Sequence, residues 1–186
     1  CMIITLAGLS GAGKSTVKKM LAEKLGWKAY SMGDMRGVYA TEHGMTIDEL
    51  NTLGMSDPQT DSRVDEFQTE LGKREDNFVI DGWMSWFFIP NSVKIFLDIN
   101  PEEGAKRIFA EQQNYPDHRK DERPYASVTD VQENLAKRVL QNQERYKKWY
   151  QVDFLDTSHY DLVIDTSALS PEQVVERITA FISSHA

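Results

Sequence analysis

The chain has 186 residues and a formal net charge of −8, and 40% of its residues are hydrophobic. This length suits one α/β domain, and the acidic balance argues against a general nucleic-acid binder, which needs a basic face to neutralise phosphates. The single cysteine, Cys1, precedes a methionine that resembles an initiator, so we interpret Cys1 as foreign to the native chain and expect no disulfide framework or cysteine-based metal site.

The first part of the chain alternates short β-rich runs with helical stretches. Residues 3–7 predict a strand, and the apolar spacing over 14–25 predicts a helix that Gly26 ends. Residues 28–31 predict a second short strand. The region 33–73 then predicts a helical insertion in at least three pieces.

Local signals divide the middle of the chain. Thr46 and Glu49 have the spacing of a capping box, and Pro58 suits the first position of a helix. Residues 78–81 predict a strand, and residues 93–99 predict another, which its apolar content indicates to be buried.

The last part of the chain contains its most polar stretch. A helix is predicted to begin at the asparagine–proline pair 100–101, and residues 112–126 read as an exposed loop or lid. A long helix over 128–150, a strand over 162–165 and a final helix capped at 170–173 follow. The whole pattern predicts one α/β domain over 1–186, with a five-stranded parallel sheet and helices on both faces.

A glycine-rich loop between the first strand and the first helix has the pattern G-x-x-x-x-G-K-S. Its backbone N–H groups and the helix N-terminus would cradle phosphates, Lys14 would reach the β- and γ-phosphates, and the Ser15 hydroxyl would ligate Mg²⁺. The candidate ATP-binding residues are Gly8, Leu9, Ser10, Gly11, Ala12, Gly13, Lys14, Ser15 and Thr16.

This loop predicts the P-loop NTPase fold and a triphosphate ligand. A GTPase would also carry an Asn-Lys-x-Asp run that selects guanine, and the sequence has none. A large motor ATPase would need a longer chain. The sequence therefore favours a compact kinase of small molecules, with ATP and Mg²⁺ as cofactors.

Several stretches in order resemble the nucleoside monophosphate kinases, and most closely the archaeal-type cytidylate kinases. They are residues 2–5 leading into the phosphate loop, Ser31-Met32-Gly33-Asp34, the run 44–50, Asp57-Pro58, Val79-Ile80-Asp81-Gly82, Arg145-Tyr146 and the run 160–167. The resemblance implies that 33–73 is an acceptor-binding helical subdomain, that 112–126 is a lid, and that ATP phosphorylates CMP or dCMP.

The resemblance also implies an acceptor site around Ser31, Gly33 and Asp34, although Ser31 and Asp34 would equally suit a helix cap. Relatives usually carry an arginine where this chain has Gly37. Arg36, one position earlier, is a candidate substitute, although a shift of one residue turns a side chain by about 100° around a helix.

Asp81 ends a strand at the carboxyl edge of the sheet, where ligands of such sheets bind, so it is a candidate for the Mg²⁺ shell or for positioning the acceptor. The alternative is an ordinary turn aspartate before Gly82. Relatives often have an arginine at the position of Trp83. Trp83 and Trp86 suit either stacking on a base or packing in the core.

Arginines supply the positive charge that phosphoryl transfer needs. Arg138 and Arg145 are seven residues apart and so share one face of the long helix. The resemblance implies that both contact the phosphates, and that Arg107 lies over the base of the donor. Arg63 has two equal interpretations, as a clamp on the acceptor phosphate or as an ion-pair partner on a solvated helix.

Arg119, Lys120 and Arg123 are cations of the lid, and a closing lid would exclude water from the triphosphate. His43, His118, His159 and His185 have no metal-binding spacing and are expected at the surface.

The expected partners are a nucleoside monophosphate and ATP, with no nucleic acid and no membrane, in a monomer or weak dimer. The expected compartment is the cytoplasm, since residues 2–7 lack a basic signal-peptide start. Two alternatives stay open: a kinase of another small metabolite on this scaffold, and an ATP-binding regulatory protein with little turnover.

Overall fold

The computed structural model describes residues 2–184, with only the backbone of Pro116. The expectations for Cys1 and His185 lie outside the described residues. The strands are β1 (Ile3–Gly8), β2 (Lys28–Ser31), β3 (Phe78–Asp81), β4 (Val93–Asp98) and β5 (Leu162–Asp165). They form one parallel five-stranded sheet in the order β2-β3-β1-β4-β5, which confirms the predicted P-loop NTPase architecture.

The helices cover both faces of this sheet. They are α1 (Lys14–Leu25), α2 (Met32–Glu42), α3 (Ile47–Gly54), α4 (Gln59–Arg74), α5 (Ser85–Phe88), α6 (Pro101–Asn114), α7 (Val128–Tyr150) and α8 (Pro171–Ser184). Short 3₁₀ turns occupy Pro116–Arg119 and Thr157–His159. Within residues 2–184, no helix combines the length and the apolar character needed to cross a bilayer.

The alternation of side chains along β1 divides the core into layers. Ile4 and Leu6 point to the face covered by α1 and α8, where they pack with Leu21 and Ile178. Neighbouring positions point to the opposite face, because successive residues of a strand alternate in direction. There α2, α4, α5 and α7 cover the sheet. The central strand is therefore buried on both faces, as its continuous apolar run indicates.

The helical insertion forms as predicted, and its helix starts are fixed by local hydrogen bonds. The Ser31 hydroxyl accepts from the Asp34 N–H and caps α2. Thr46 and Glu49 form a complete capping box at the start of α3. Pro58 is the residue before α4 rather than its first residue, a difference of one position.

The polar segment 112–126 is less exposed than the sequence predicts. Helix α6 continues to Asn114, and the side chain of Tyr125 is buried against Ile108 and Val131. The Tyr125 hydroxyl donates to Asn134 on α7. One aromatic anchor therefore holds the carboxyl end of the lid against α6 and α7.

The aromatic run after β3 forms the short helix α5, which the sequence did not predict. Trp86 is buried, donates from Nε1 to the Trp83 carbonyl and stacks on His159. Trp83 packs on Phe154 with ring centroids 4.8 Å apart. The core interpretation is therefore correct for Trp86, whereas Trp83 also borders the cleft described below.

Replacement of Gly8 by alanine should cost much more stability than replacement of Gly26. Both have positive φ, at 138° and 68°, but an added Cβ at Gly8 would overlap the Leu97 carbonyl, whereas Gly26 has open space. Gly8→Ala should lower the free energy of unfolding by about 3 kcal/mol or more, and Gly26→Ala by about 1–2 kcal/mol. Urea unfolding of both variants measures this, and equal losses would contradict the steric argument.

Candidate active site

The candidate site is a cleft at the carboxyl edge of the sheet, where β1 lies between β3 and β4. Its volume is about 1000 Å³. It is lined by the phosphate loop, by α2 and α4 of the insertion, by the lid and by α7. Ligands of open parallel sheets bind at this edge, because the loops and helix N-termini that follow the strands converge there.

The phosphate loop turns sharply at glycines that have left-handed conformations. Gly11 and Gly13 both have φ of 85°, and a Cβ at Gly11 would meet the Gly104 backbone within 2.6 Å. Ser10, Gly11, Gly13, Lys14, Ser15 and Thr16 line the cleft. The other loop residues, Gly8, Leu9 and Ala12, lie behind this surface and shape it.

Lys14 is held inside the loop by two carbonyl groups. Its Nζ donates to the Gly8 and Leu9 oxygens, both at 2.8 Å. Burial lowers the pKa of Lys14 to about 8; Asp81 opposes the shift, and the positive charges of Arg119 and Arg138 add to it. The site therefore concentrates positive charge, which an anionic ligand would neutralise.

Asp81 and Ser15 are the oxygen donors that could hold Mg²⁺. Asp81 is buried at the end of β3, and its Oδ1 accepts from Lys18 Nζ at 2.9 Å. The residues from 2 to 184 contain no group of three metal-ligating side chains. A hydroxyl and one carboxylate fit Mg²⁺ bound mainly by substrate phosphates and water, the usual arrangement for this ion at nucleotides.

Arg138 lines the cleft, and carboxylates on two sides hold it. Its Nη1 lies 2.8 Å from Glu122 Oε1, and its Nη2 lies 3.0 Å from Asp48 Oδ1. Arg119 of the lid also pairs with Glu122, at 2.9 Å. The charges of Arg138 and Arg119 keep the pKa of Glu122 below its usual value although burial opposes this. The sequence analysis missed Asp48 and Glu122.

Arg145 lies deeper, in a cluster that joins α7 to the acceptor-side helices. Its Nε lies 3.1 Å from Asp61 Oδ2, and its Nη1 donates to Asn51 Oδ1 at 3.1 Å. Arg36 from α2 contacts the same two partners, pairing with Asp61 and donating to Asn51 at 3.0 Å. Burial and the charge of Arg145 lower the pKa of Arg36 to about 10.

Protein groups surround the guanidinium of Arg145 in this cluster, so its predicted contact with phosphate stays a prediction. Arg36 Nη1, Asp61 Oδ2 and Arg145 Nε take part in ion pairs but have no hydrogen bond of normal geometry to any residue that the structure describes. Arg145 is only 1% exposed. Asp61 pairs with Arg36 and Arg145. The spacing of Asp61, Asp65 and Gln68 along α4 was the available signal, since positions four and three residues apart share one helix face.

Most of the other predicted acceptor-site residues also reach the cleft. Ser31, Gly33, Asp34, Arg36 and Asp81 line it. Arg107 lines it too, and its guanidinium donates to the carbonyls of Thr166 and Ser167 at 3.0 Å. Arg63 does not: it is exposed and borders a separate small depression beside α2. Its interpretation as an acceptor clamp is not supported by this placement.

The fold and this cleft define a P-loop phosphotransferase. Residues 3–168 match the Cytidylate kinase-like family, and the chain belongs to that family, as the sequence analysis predicted. Family membership implies a nucleotide kinase that uses ATP, usually with Mg²⁺.

Individual relatives and solved structures carry names with different activities. A cytidylate kinase from Methanocella arvoryzae is 37% identical over 89% of this chain and 88% of its own length. An S-adenosylmethionine-dependent nucleotide dehydratase from Lacinutrix mariniflava is 35% identical over 94% of this chain but only 34% of its own length. A shikimate kinase from Bacteroides thetaiotaomicron shares the fold, with a TM-score of 0.64 at 16% identity over 98% of both chains.

Nucleotide binding above pH 8 should be accompanied by proton uptake at Lys14. In the free protein the pKa of this amine is about 8, so at about pH 8.5 most of it is neutral. A bound polyphosphate would raise the pKa, because negative charge favours the protonated amine. Calorimetric titration with ADP in buffers of different ionisation enthalpy should give different apparent enthalpies.

Lys14→Met should remove this buffer dependence, whereas Lys19→Met, on the exposed side of the same helix, should keep it. Identical enthalpies in all buffers for the unmodified protein would contradict the assignment.

Proposed function

We propose that this chain transfers the γ-phosphoryl group of ATP to a nucleoside monophosphate, with CMP and dCMP as preferred acceptors. The observation that carries the proposal is the continuity of the cleft. Its floor is the phosphate loop, and its opposite wall is formed by α2 and α4, so a donor and an acceptor would meet inside one cavity of about 1000 Å³.

Phosphoryl transfer requires the protein to position the substrates and to neutralise charge, and it requires no covalent intermediate. Loop N–H groups and Lys14 would hold the donor phosphates, and Arg138 and Arg119 would neutralise charge on the group in transfer. Ser15 and Asp81 would hold Mg²⁺, which when bound neutralises phosphate oxygens. The partly buried cleft strengthens each of these interactions by excluding water.

A preference for cytosine over uracil is supported by hydrogen-bond acceptors on α4. Gln68 is buried at the acceptor side of the cleft, and its Oε1 has no hydrogen-bond partner among the described residues. Its Nε2 is 3.4 Å from Asp65 Oδ1, a carboxylate that also accepts from the Tyr150 hydroxyl. Because an ionised carboxylate only accepts, it orients the Gln68 amide so that Oε1 stays available. Such an oxygen suits the exocyclic amino group of cytosine, whereas uracil offers a carbonyl there.

The two departures from the usual family pattern are compatible with this proposal. At Gly37 an added Cβ would lie 2.9 Å from a carboxylate oxygen of Asp121, so the lid occupies the space that a long side chain would need. Arg36 supplies a positive charge on the same helix, held by Asp61 and Asn51. Trp83 borders the cleft and offers an apolar ring surface.

Acceptor identity can be measured directly by ADP release from ATP and Mg²⁺ with CMP, dCMP, UMP, AMP, GMP or shikimate. We expect CMP and dCMP to stimulate ADP release most strongly. Lys14→Ala should lower the stimulated rate by about 100-fold or more, since it removes a charge that contacts the transferred group. Lys19→Ala is the matched control and should retain the rate. Absence of stimulation by every nucleotide would overturn the proposed function.

Gln68→Leu should reduce the preference for CMP over UMP. The loss of a buried acceptor that pairs with the cytosine amino group should lower kcat/KM for CMP by about 10-fold, because an unpaired buried polar group costs ~1–3 kcal/mol. The value for UMP should change less. Gln59→Leu changes an exposed glutamine of the same helix and should leave the ratio of the two kcat/KM values unchanged. An unaltered ratio in Gln68→Leu would refute base reading by α4.

A further inference from the structure

The run 44–50 is one of the stretches that carry the family resemblance, yet phosphate binding and base recognition leave it without a role. Its structural effect is to fix the first turn of α3. The Thr46 hydroxyl accepts from the Glu49 N–H at 3.3 Å, and Glu49 Oε2 accepts from the Thr46 N–H at 2.7 Å. These two bonds lock the helix start, so the side chain of Asp48 projects from a defined position.

Asp48 holds Arg138 from the acceptor side of the cleft. Its Oδ1 accepts from Arg138 Nε at 3.1 Å and lies 3.0 Å from Nη2, while its Oδ2 accepts from Asn134 Nδ2 at 3.0 Å. Both oxygens of the carboxylate are therefore engaged with α7. Glu122 holds the remaining guanidinium nitrogen from the lid, at 2.8 Å.

The lid and the acceptor-side helices also touch each other directly. The Ile47 N–H donates to the Asp121 carbonyl at 2.8 Å, one residue from Asp48 on α3 and one residue from Glu122 in the lid. The Tyr125 hydroxyl donates to Asn134 and so ties the lid to the residue that supports Asp48. Arg138 thus has its full set of partners only when α3, the lid and α7 are all together.

We propose that Asp48 is a positioning residue, which holds Arg138 from α3 and so keeps its guanidinium over the transferring phosphoryl group. This inference rests on the proposed phosphoryl transfer, in which Arg138 neutralises the negative charge of the transferred phosphoryl group. It assigns a catalytic consequence to these contacts: the arginine is aligned only while α3 and the lid both contact α7.

The test compares the unmodified chain, Asp48→Asn and Glu66→Gln in the ADP-release assay with ATP, Mg²⁺ and the best nucleotide acceptor. Asparagine has one acceptor oxygen where aspartate has two, so either Arg138 or Asn134 loses its partner. We expect Asp48→Asn to lower kcat about 10- to 100-fold, the range for a misplaced catalytic group, with KM for ATP within about twofold. Glu66→Gln alters an exposed carboxylate on α4 and should behave like the unmodified chain.

A double-mutant cycle separates positioning from a general loss of structure. In an Arg138→Ala background, Asp48→Asn should lower kcat no further, because Asp48 acts through Arg138. A fold defect would lower kcat by the same factor in both backgrounds and would overturn the inference. Retention of kcat by Asp48→Asn would overturn it as well. If the unmodified chain shows no stimulation by any nucleotide, the proposed function fails and the inference fails with it.

Discussion

Charge compensation inside a partly buried cleft is the constraint on which the rest of the site depends. Arg145 is 1% exposed and Arg138 is 8% exposed, and a buried guanidinium without a partner is strongly destabilising. Their partners come from other elements: Asp61 from α4, Asp48 from α3 and Glu122 from the lid. The ion pairs that neutralise the arginines of α7 therefore also hold α3, α4 and the lid against α7 around the cleft.

In this arrangement a bound triphosphate would compete with Glu122 for the same arginines. A triphosphate offers Arg138 and Arg119 negative charge that Glu122 supplies in the free protein. The charge of Lys14 depends on a bound anion as well. Burial lowers the pKa of Lys14, and a bound anion would raise it again. Glu122 and a bound triphosphate would therefore be alternative partners for Arg138 and Arg119, whereas Asp48 holds Arg138 from the other side.

Charge compensation also shapes the packing around α2. At Gly37 an added Cβ would lie 2.9 Å from a carboxylate oxygen of Asp121. The neighbouring Arg36 turns to Asp61 and Asn51 and forms a largely buried polar cluster with them. Adjacent positions of α2 therefore contact two different walls of the cleft.

Local signals in the sequence were sufficient to predict the fold and to identify the phosphate loop. The predicted ranges of β2, β3, β5, α1 and α7 agree with the structure, because glycines, capping residues and apolar spacing are local signals. The phosphate loop could be read in the same way, since all of its residues are contiguous. The short helix α5 was missed because its aromatic run has no helical period and is defined by packing.

The partners of the two arginines on α7 could be identified only from the tertiary structure. Asp48 lies 90 residues from Arg138 along the chain, and Asn51 lies 94 residues from Arg145, so no local spacing reveals either pair. Arg63 and Arg36 looked similar as candidate clamps, and only the direction of each side chain separates the exposed arginine from the buried one. Contacts within one helical turn follow from the spacing of residues in the sequence, whereas contacts between helices depend on the fold of the whole chain.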